Sequence, residues 1–377
     1  MSNPTQTNTG ASAYLGFLAT LAGNPEVLKD EHLNQETLKN DLVSLFSGVE
    51  RSSGSDEFLE EMFLNGNYES VVSYESTIIN INKQLENNDK EPLYLLYPVD
   101  GVSISDSPFA YIKGENPAKR ETFLKLQDYI LSEEGQSKLA ETGRRTWFGG
   151  ITDKANPAVF NPNWGINTEK YIVPIKYPSV TVIRQALNLY QSELRKPQHI
   201  IFGLDYSGSM QGTGHRQLVD AMKYILDKDQ ASKDLLQFTE KDKITVIPFN
   251  RKVIEVWQVK NGENTDTLVK NIENLVPNGS TNIYDTAIQG LNILAQEDFG
   301  IYNVSIIIMT DGQSNVGTFE SFAQRYDNIG LDIPVYSILF GEAYERELRD
   351  IASKTNGKVF DGKNNLLEAF KEVRGYN

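Results

Sequence analysis

The chain is predicted to be an α/β protein. A doubly wound, mostly parallel sheet is expected over residues 199–377, preceded by a smaller α/β lobe over residues 1–150. Three observations predict the sheet. Apolar runs of strand length recur from His199 onward, amphipathic helical patterns lie between them, and oxygen-bearing turns follow the runs at one end. Strands that are apolar throughout need cover on both faces, and intervening helices supply it.

In chain order, Asn8-Thr9-Gly10-Ala11-Ser12 opens an apolar helix. Its free N–H groups could hold an anion, but an ordinary N-cap explains the same residues more simply. Val71–Ser76 reads as a short strand with a polar end. Tyr97–Gly101, followed by Asp106–Tyr111, reads as a turn leading into a strand. Pro117–Ile130 has Phe123, Leu126, Gln127 and Ile130 on one helical face, and Ser132–Gln136 starts another helix. Between Gly149 and Pro197, Pro157, Pro162, Pro174, Pro178 and Pro197 mark residues 151–198 as a connector. Within it, Val182, Ala186, Leu189 and Tyr190 have helical spacing. The strands of the second half are expected at Ile200–Leu204, Ile244–Phe249, Val304–Met309, Val335–Phe340 and Lys358–Phe360, with Val253–Val259 forming an antiparallel edge hairpin. Helical spacing appears at Leu218–Leu226, Ile283–Leu294, Phe319–Tyr326, Leu348–Ala352 and Leu366–Phe370.

Composition narrows the chemistry. The 377 residues carry 36 basic and 51 acidic side chains, a net charge of −15, and residues 199–377 hold 18 basic against 25 acidic. Neither half has the basic excess that nucleic acid or anionic lipid would require. With no cysteine, thiol catalysis, disulfides and cysteine-based metal sites are excluded. The three histidines, His32, His199 and His215, leave little material for a zinc site or a histidine-dependent triad. No apolar run approaches the roughly 18 residues a membrane span needs. No Lys or Arg precedes Lys29, so Ala11–Gly23 lacks the basic flank of a secretory signal.

Three segments fall where strands end. They are Asp205-Tyr206-Ser207-Gly208-Ser209, Gly279-Ser280-Thr281-Asn282 and Thr310-Asp311-Gly312. Two carboxylates and three hydroxyls are the donors a hard divalent cation such as Mg²⁺ prefers. Ligands of doubly wound sheets bind at the carboxyl ends of the strands. A lone D-x-S-x-S run arises in roughly one chain in ten of this length, and Ser, Thr and Asp after strands are common helix caps. Three such loops at the same end of one sheet are harder to explain as caps.

On these residues, 199–377 resembles a von Willebrand factor type A domain with a complete metal-ion-dependent adhesion site. The resemblance implies Asp205, Ser207, Ser209, Thr281 and Asp311 as metal residues, with the serines binding directly and the aspartates mostly through water. It implies Mg²⁺, with Mn²⁺ or Ca²⁺ as alternatives, and a protein partner whose Asp or Glu carboxylate completes the octahedron. Tyr97–Gly101, Pro117-Ala118-Lys119-Arg120 and Ser132–Gln136 resemble the second lobe of bacterial extracellular solute-binding proteins of the type II class. Most of a first lobe would precede Ser2. The chain is therefore expected to be part of a longer extracytoplasmic parent, secreted or membrane-anchored, whose single lobe cannot enclose a small solute.

The function expected is metal-dependent protein binding in adhesion or scaffolding, with a solute receptor of a transport system as the alternative. Catalysis is not expected. No G-x-S-x-G elbow surrounds Ser207 or Ser209, and His215 is a lone loop histidine.

Overall fold

Burial of apolar stripes among the described residues of the first 141 is achieved mainly by helices. The computed structural model describes residues 1–376 except 67, 115, 147–154, 171–172 and 342–344. Helices α1 (Asn8–Leu21), α2 (Asp30–Leu33), α3 (Glu36–Ser47), α4 (Asp56–Asn65), α5 (Glu75–Asn87), α6 (Pro117–Leu131) and α7 (Glu133–Glu141) come first, and α8 (Val180–Leu189) precedes the sheet. Their starts follow capping chemistry. Thr7, Ser55, Asn116, Ser132 and Ser179 each accept a backbone N–H from the first turn, and Pro117 sits just inside α6. The hydroxyl of Thr7 thus caps α1 on Gly10, as an ordinary N-cap would.

The α/β reading of this lobe is corrected: among its described residues it is helical. Val71–Ser76 is not a strand, because Glu75 already begins α5, whose Ile78, Ile79, Ile81 and Leu85 are buried. No strand follows Tyr97–Gly101 either. Residues 91–114 make isolated contacts rather than a ladder among the described residues: Leu93 N–H donates to Asn82 Oδ1, Leu95 N–H to Trp164 O, and Val102 bridges Pro174. A strand needs a neighbour that matches its donors and acceptors in series. Helix α6 forms where expected, but none of its residues is buried; Phe123 instead stacks on Phe109 with ring centroids 4.6 Å apart. Residues 149–154, at the start of the expected connector, lie outside the described residues.

The sheet follows the periodicity of the second half. Its strands are β1 (Gln198–Asp205), β2 (Lys243–Phe249), β3 (Trp257–Val259), β4 (Asn303–Thr310), β5 (Val335–Leu339) and β6 (Val359–Asp361), ordered β3-β2-β1-β4-β5-β6. Only β3 is antiparallel. Helices α9 (Thr213–Leu226), α10 (Lys228–Lys233), α11 (Asp266–Asn274), α12 (Ile283–Leu294), α13 (Phe319–Ile329), α14 (Glu345–Lys354) and α15 (Leu366–Val373) complete the chain.

Alternate strand residues face opposite layers. Ile200, Phe202 and Leu204 of β1 pack with Leu218 and Met222 of α9 and Phe370 of α15. Ile201 packs with Ala287 and Leu291 of α12 and Phe322 of α13. Gly203 lets α12 come close, since a Cβ there would lie 3.1 Å from Thr286 Cγ2. The amino-terminal helices are joined to this core. Phe58, Leu59 and Met62 of α4 share the first cluster, and Phe58 meets Tyr376 edge-on at 5.2 Å. Beneath β1 the buried guanidinium of Arg195 makes a two-pronged pair with Asp242 at 2.9 and 2.5 Å.

Candidate functional site

The chain leaves β1 toward β2 on one side and later enters β4 on the other, so the carboxyl ends of β1 and β4 form the switch point of the sheet. Asp205 is the last residue of β1, and Asp311 follows Thr310, the last residue of β4. Thr281 arrives separately, one residue before Asn282, whose side chain caps α12 by accepting Asp285 N–H at 3.1 Å. All five sequence-expected residues are therefore brought to one end of the sheet.

Their side chains form a connected set. Ser207 Oγ and Ser209 Oγ are 3.0 Å apart, and Ser209 Oγ donates to Asp311 Oδ1 at 2.8 Å. Asp205 is fully buried. Its Oδ1 accepts the Ser207 N–H at 2.7 Å and its Oδ2 accepts the Thr310 hydroxyl at 2.6 Å. Thr281 lies beside Gly312 close to Ser209: a Cβ on Gly312 would be 3.5 Å from Thr281 Oγ1 and 3.6 Å from Ser209 Oγ. The first turn of α9 borders Asp311, with a Cβ on Gly214 falling 3.7 Å from Asp311 Oδ2.

Loops on three sides hold this geometry. Tyr206 N–H donates to Phe249 O at 2.7 Å, Asn278 N–H to Tyr206 O at 2.8 Å, and Gly208 N–H to Gly279 O at 2.8 Å. Asn315 binds Thr281 twice, donating its N–H to Thr281 O at 2.8 Å and accepting Thr281 N–H on Oδ1 at 3.3 Å. Ser314 N–H donates to Glu347 Oε2 of α14 at 2.9 Å, and its hydroxyl accepts Ile283 N–H at 3.0 Å. Thr310, Ser314, Asn315 and Glu347 were not singled out by sequence reasoning. Only Thr310 carried a signal, as the strand-end neighbour of Asp311; the others depend on contacts between distant segments.

The donor set fits a hard divalent cation. It contains only oxygen, and the 3.0 Å between the two serine hydroxyls matches the edge of an octahedron with bonds of about 2.1 Å. Electrostatics agrees. Burial pushes the Asp205 carboxyl up to about 6, against the opposing effect of Thr310 and Ser207, and Asp311 adds repulsion. Burial also raises Asp311, opposed by Ser209. Two carboxylates compensated by neutral donors alone would be relieved by positive charge between them. His215 stands edge-on to Tyr206 at 5.4 Å, and its Nε2 has no hydrogen-bond partner among the described residues.

Comparison with known proteins gives the family of this half. Residues 199–372 match the family model of the von Willebrand factor type A domain, so the Rossmann-like α/β fold of that segment is the von Willebrand factor type A fold. Human inter-alpha-trypsin inhibitor heavy chain H2 is 32% identical over 157 residues, which is 38% of this chain and 16% of that protein. Mouse inter-alpha-trypsin inhibitor heavy chain H3 is 35% identical over 162 residues, again 38% and 16%. The chain thus spans only a small part of the curated relatives it matches. Among solved structures, a von Willebrand factor type A protein from Catenulispora acidiphila is 18% identical, covering 48% of this chain and 42% of that one, with a TM-score of 0.40. Proximal thread matrix protein 1 of the mussel byssus, solved with a zinc-occupied MIDAS motif, is 20% identical over 48% of this chain and 46% of that one, with a TM-score of 0.34. Among the described residues, no helix is long and apolar enough to cross a membrane.

Proposed function

We propose that this chain is a divalent-metal-dependent protein-binding module that captures a carboxylate of its partner at the carboxyl end of the sheet. The observation that carries the reading is the hydroxyl–hydroxyl–carboxylate run from Ser207 through Ser209 to Asp311, assembled from loops 102 residues apart. Ser207, Ser209 and Thr281 would hold the cation. Asp205, with both oxygens already accepting hydrogen bonds, orients the loop and supplies charge from behind. Asp311, which accepts the Ser209 hydroxyl, would act on the cation mostly through water.

A bound Mg²⁺ would supply an electrophilic centre for an incoming Asp or Glu. Its few direct anionic ligands leave positive charge for a further carboxylate to neutralise. Residues 211–216 and 313–318 border the site and would contact the rest of the partner, since they follow the same strand ends. The site of action proposed is extracytoplasmic; fractionation of the source cells tests that part separately.

The test uses the full chain. Immobilised Asp-containing and matched Asn-containing synthetic peptides are compared in Mg²⁺, Mn²⁺ and chelator. Retention of the Asp peptide only in metal, lost in Ser207→Ala and Ser209→Ala, supports the reading. Equal retention in chelator overturns it.

A further inference from the structure

Asparagine followed by glycine is the dipeptide in which the main chain most readily attacks its own side chain. The glycine nitrogen loses its proton and bonds to the asparagine Cγ, ammonia leaves, and a five-membered succinimide closes. Water then opens the ring at either carbonyl, leaving aspartate or isoaspartate. The side-chain amide nitrogen departs as ammonia, the oxygen comes from water, and nothing is oxidised or reduced. The reaction needs a glycine nitrogen that is free to swing and not engaged as a donor, which the absence of a Cβ helps.

The chain contains four such dipeptides, at residues 65–66, 261–262, 278–279 and 356–357. Three are locked. Gly66 N–H donates to Met62 O at 3.0 Å, Gly262 N–H to Thr239 O at 3.1 Å, and Gly357 N–H to Ala352 O at 2.8 Å. Gly279 N–H makes no hydrogen bond among the described residues. Asn278 and Gly279 are both exposed, and Gly279 has φ of 80°. The Asn278 side chain is held only at the surface, by Nδ2 donating to Val276 O and Oδ1 accepting Asn250 Nδ2, each at 3.2 Å. Bonds of that length in water are weak restraints.

We propose that Asn278 is a spontaneous deamidation site that ages the loop beside the candidate metal centre. Its position gives the chemistry a consequence. Asn278 N–H is anchored on Tyr206 O and Gly279 O on Gly208 N–H, so the dipeptide pins the segment that carries Ser207 and Ser209. Isoaspartate reroutes the main chain through the side-chain carbon and lengthens it between those two anchors. Thr281 lies two residues beyond Gly279 and shifts with it. This consequence rests on the metal-binding reading proposed above; the reaction at Asn278 does not.

The experiment incubates the full folded chain in mildly alkaline buffer and follows all four sites by peptide mapping, with a parallel sample in urea. In the folded protein Asn278 converts at least about tenfold faster than Asn65, Asn261 and Asn356, which must wait for local opening. In urea the four rates converge. Folded-state conversion at Asn278 no faster than at the other three overturns the proposal. A second reading compares the Mg²⁺-induced rise in melting temperature before and after ageing. Wild type loses the rise in proportion to its isoaspartate content, while aged Asn278→Gln keeps it. A full rise in extensively converted protein overturns the ageing of the site. No rise in fresh protein refutes the metal reading instead, and the peptide map still decides the chemistry.

Discussion

Asp205→Asn separates the electrostatic cost of the site from its use. In the wild type a fully buried carboxylate receives neutral donors, a backbone N–H of Ser207 and the Thr310 hydroxyl. Burial lifts its pKa from 3.8 to about 6, which corresponds to roughly 3 kcal/mol against the charged, metal-free folded state at neutral pH. Asparagine keeps the acceptor for Ser207 N–H and turns an amide toward Thr310. Thr310 Oγ1 can accept it, since that hydroxyl already has Gly312 O at 3.3 Å as an alternative acceptor. Allowing about 1 kcal/mol for imperfect rebonding, the variant should be about 2 kcal/mol more stable than wild type in chelator at neutral pH.

The sign with pH follows from linkage. A carboxyl raised on folding contributes stability that is fully present below 3.8 and lost as pH rises through about 6. The advantage of the variant should therefore vanish as the pH is lowered through that window. Urea unfolding in chelator across pH measures it, and the same titration with Mg²⁺ should stabilise wild type alone. For ligand at 100 times its dissociation constant the gain is about 2.7 kcal/mol. A variant less stable than wild type in chelator, or one that Mg²⁺ stabilises as strongly, would refute the reasoning.

Three other outcomes are expected. Ser209→Ala, at an exposed hydroxyl, should leave stability in chelator within about 0.5 kcal/mol while weakening Mg²⁺ binding, both read from melting curves over a metal titration. Asp242→Asn should cost about 3–5 kcal/mol in urea unfolding, because it strands the buried Arg195 guanidinium. Burial alone would raise the Asp242 carboxyl, but Arg195 and the N–H groups of Thr239 and Gln198 hold it below the usual range, so its contribution is present above the unfolded pKa and lost on acidification through the folded one. Phe58→Ala should cost about 3–5 kcal/mol, since α4 fills the core beside Tyr376; a loss under 1 kcal/mol would mean that α4 packs independently of the sheet.

Local periodicity determined much of the second half. Runs such as Ile244–Phe249 and Val304–Met309, short and rich in β-branched residues, read as buried strands, and the spacing of Ile283, Ala287, Leu291 and Leu294 reads as one face of a helix. Capping residues and the D-x-S-x-S spacing are local too, which is why Ser132 and Asp205 were legible. The same local logic misread Val71–Ser76 and the residues after Tyr97. Extended propensity is satisfied only by a neighbouring strand, and in the structure Asn82 and Trp164 supply isolated partners in its place. Tertiary structure alone decided that Thr310 would bind Asp205, that Asn315 would clasp Thr281, and that Asp242 would neutralise Arg195. Each of those contacts joins segments at least 34 residues apart in the chain, and no pattern within either segment encodes the other. Strand order does so, by setting β4 beside β1 and closing the distance between Ser209 and Asp311 to a hydrogen bond.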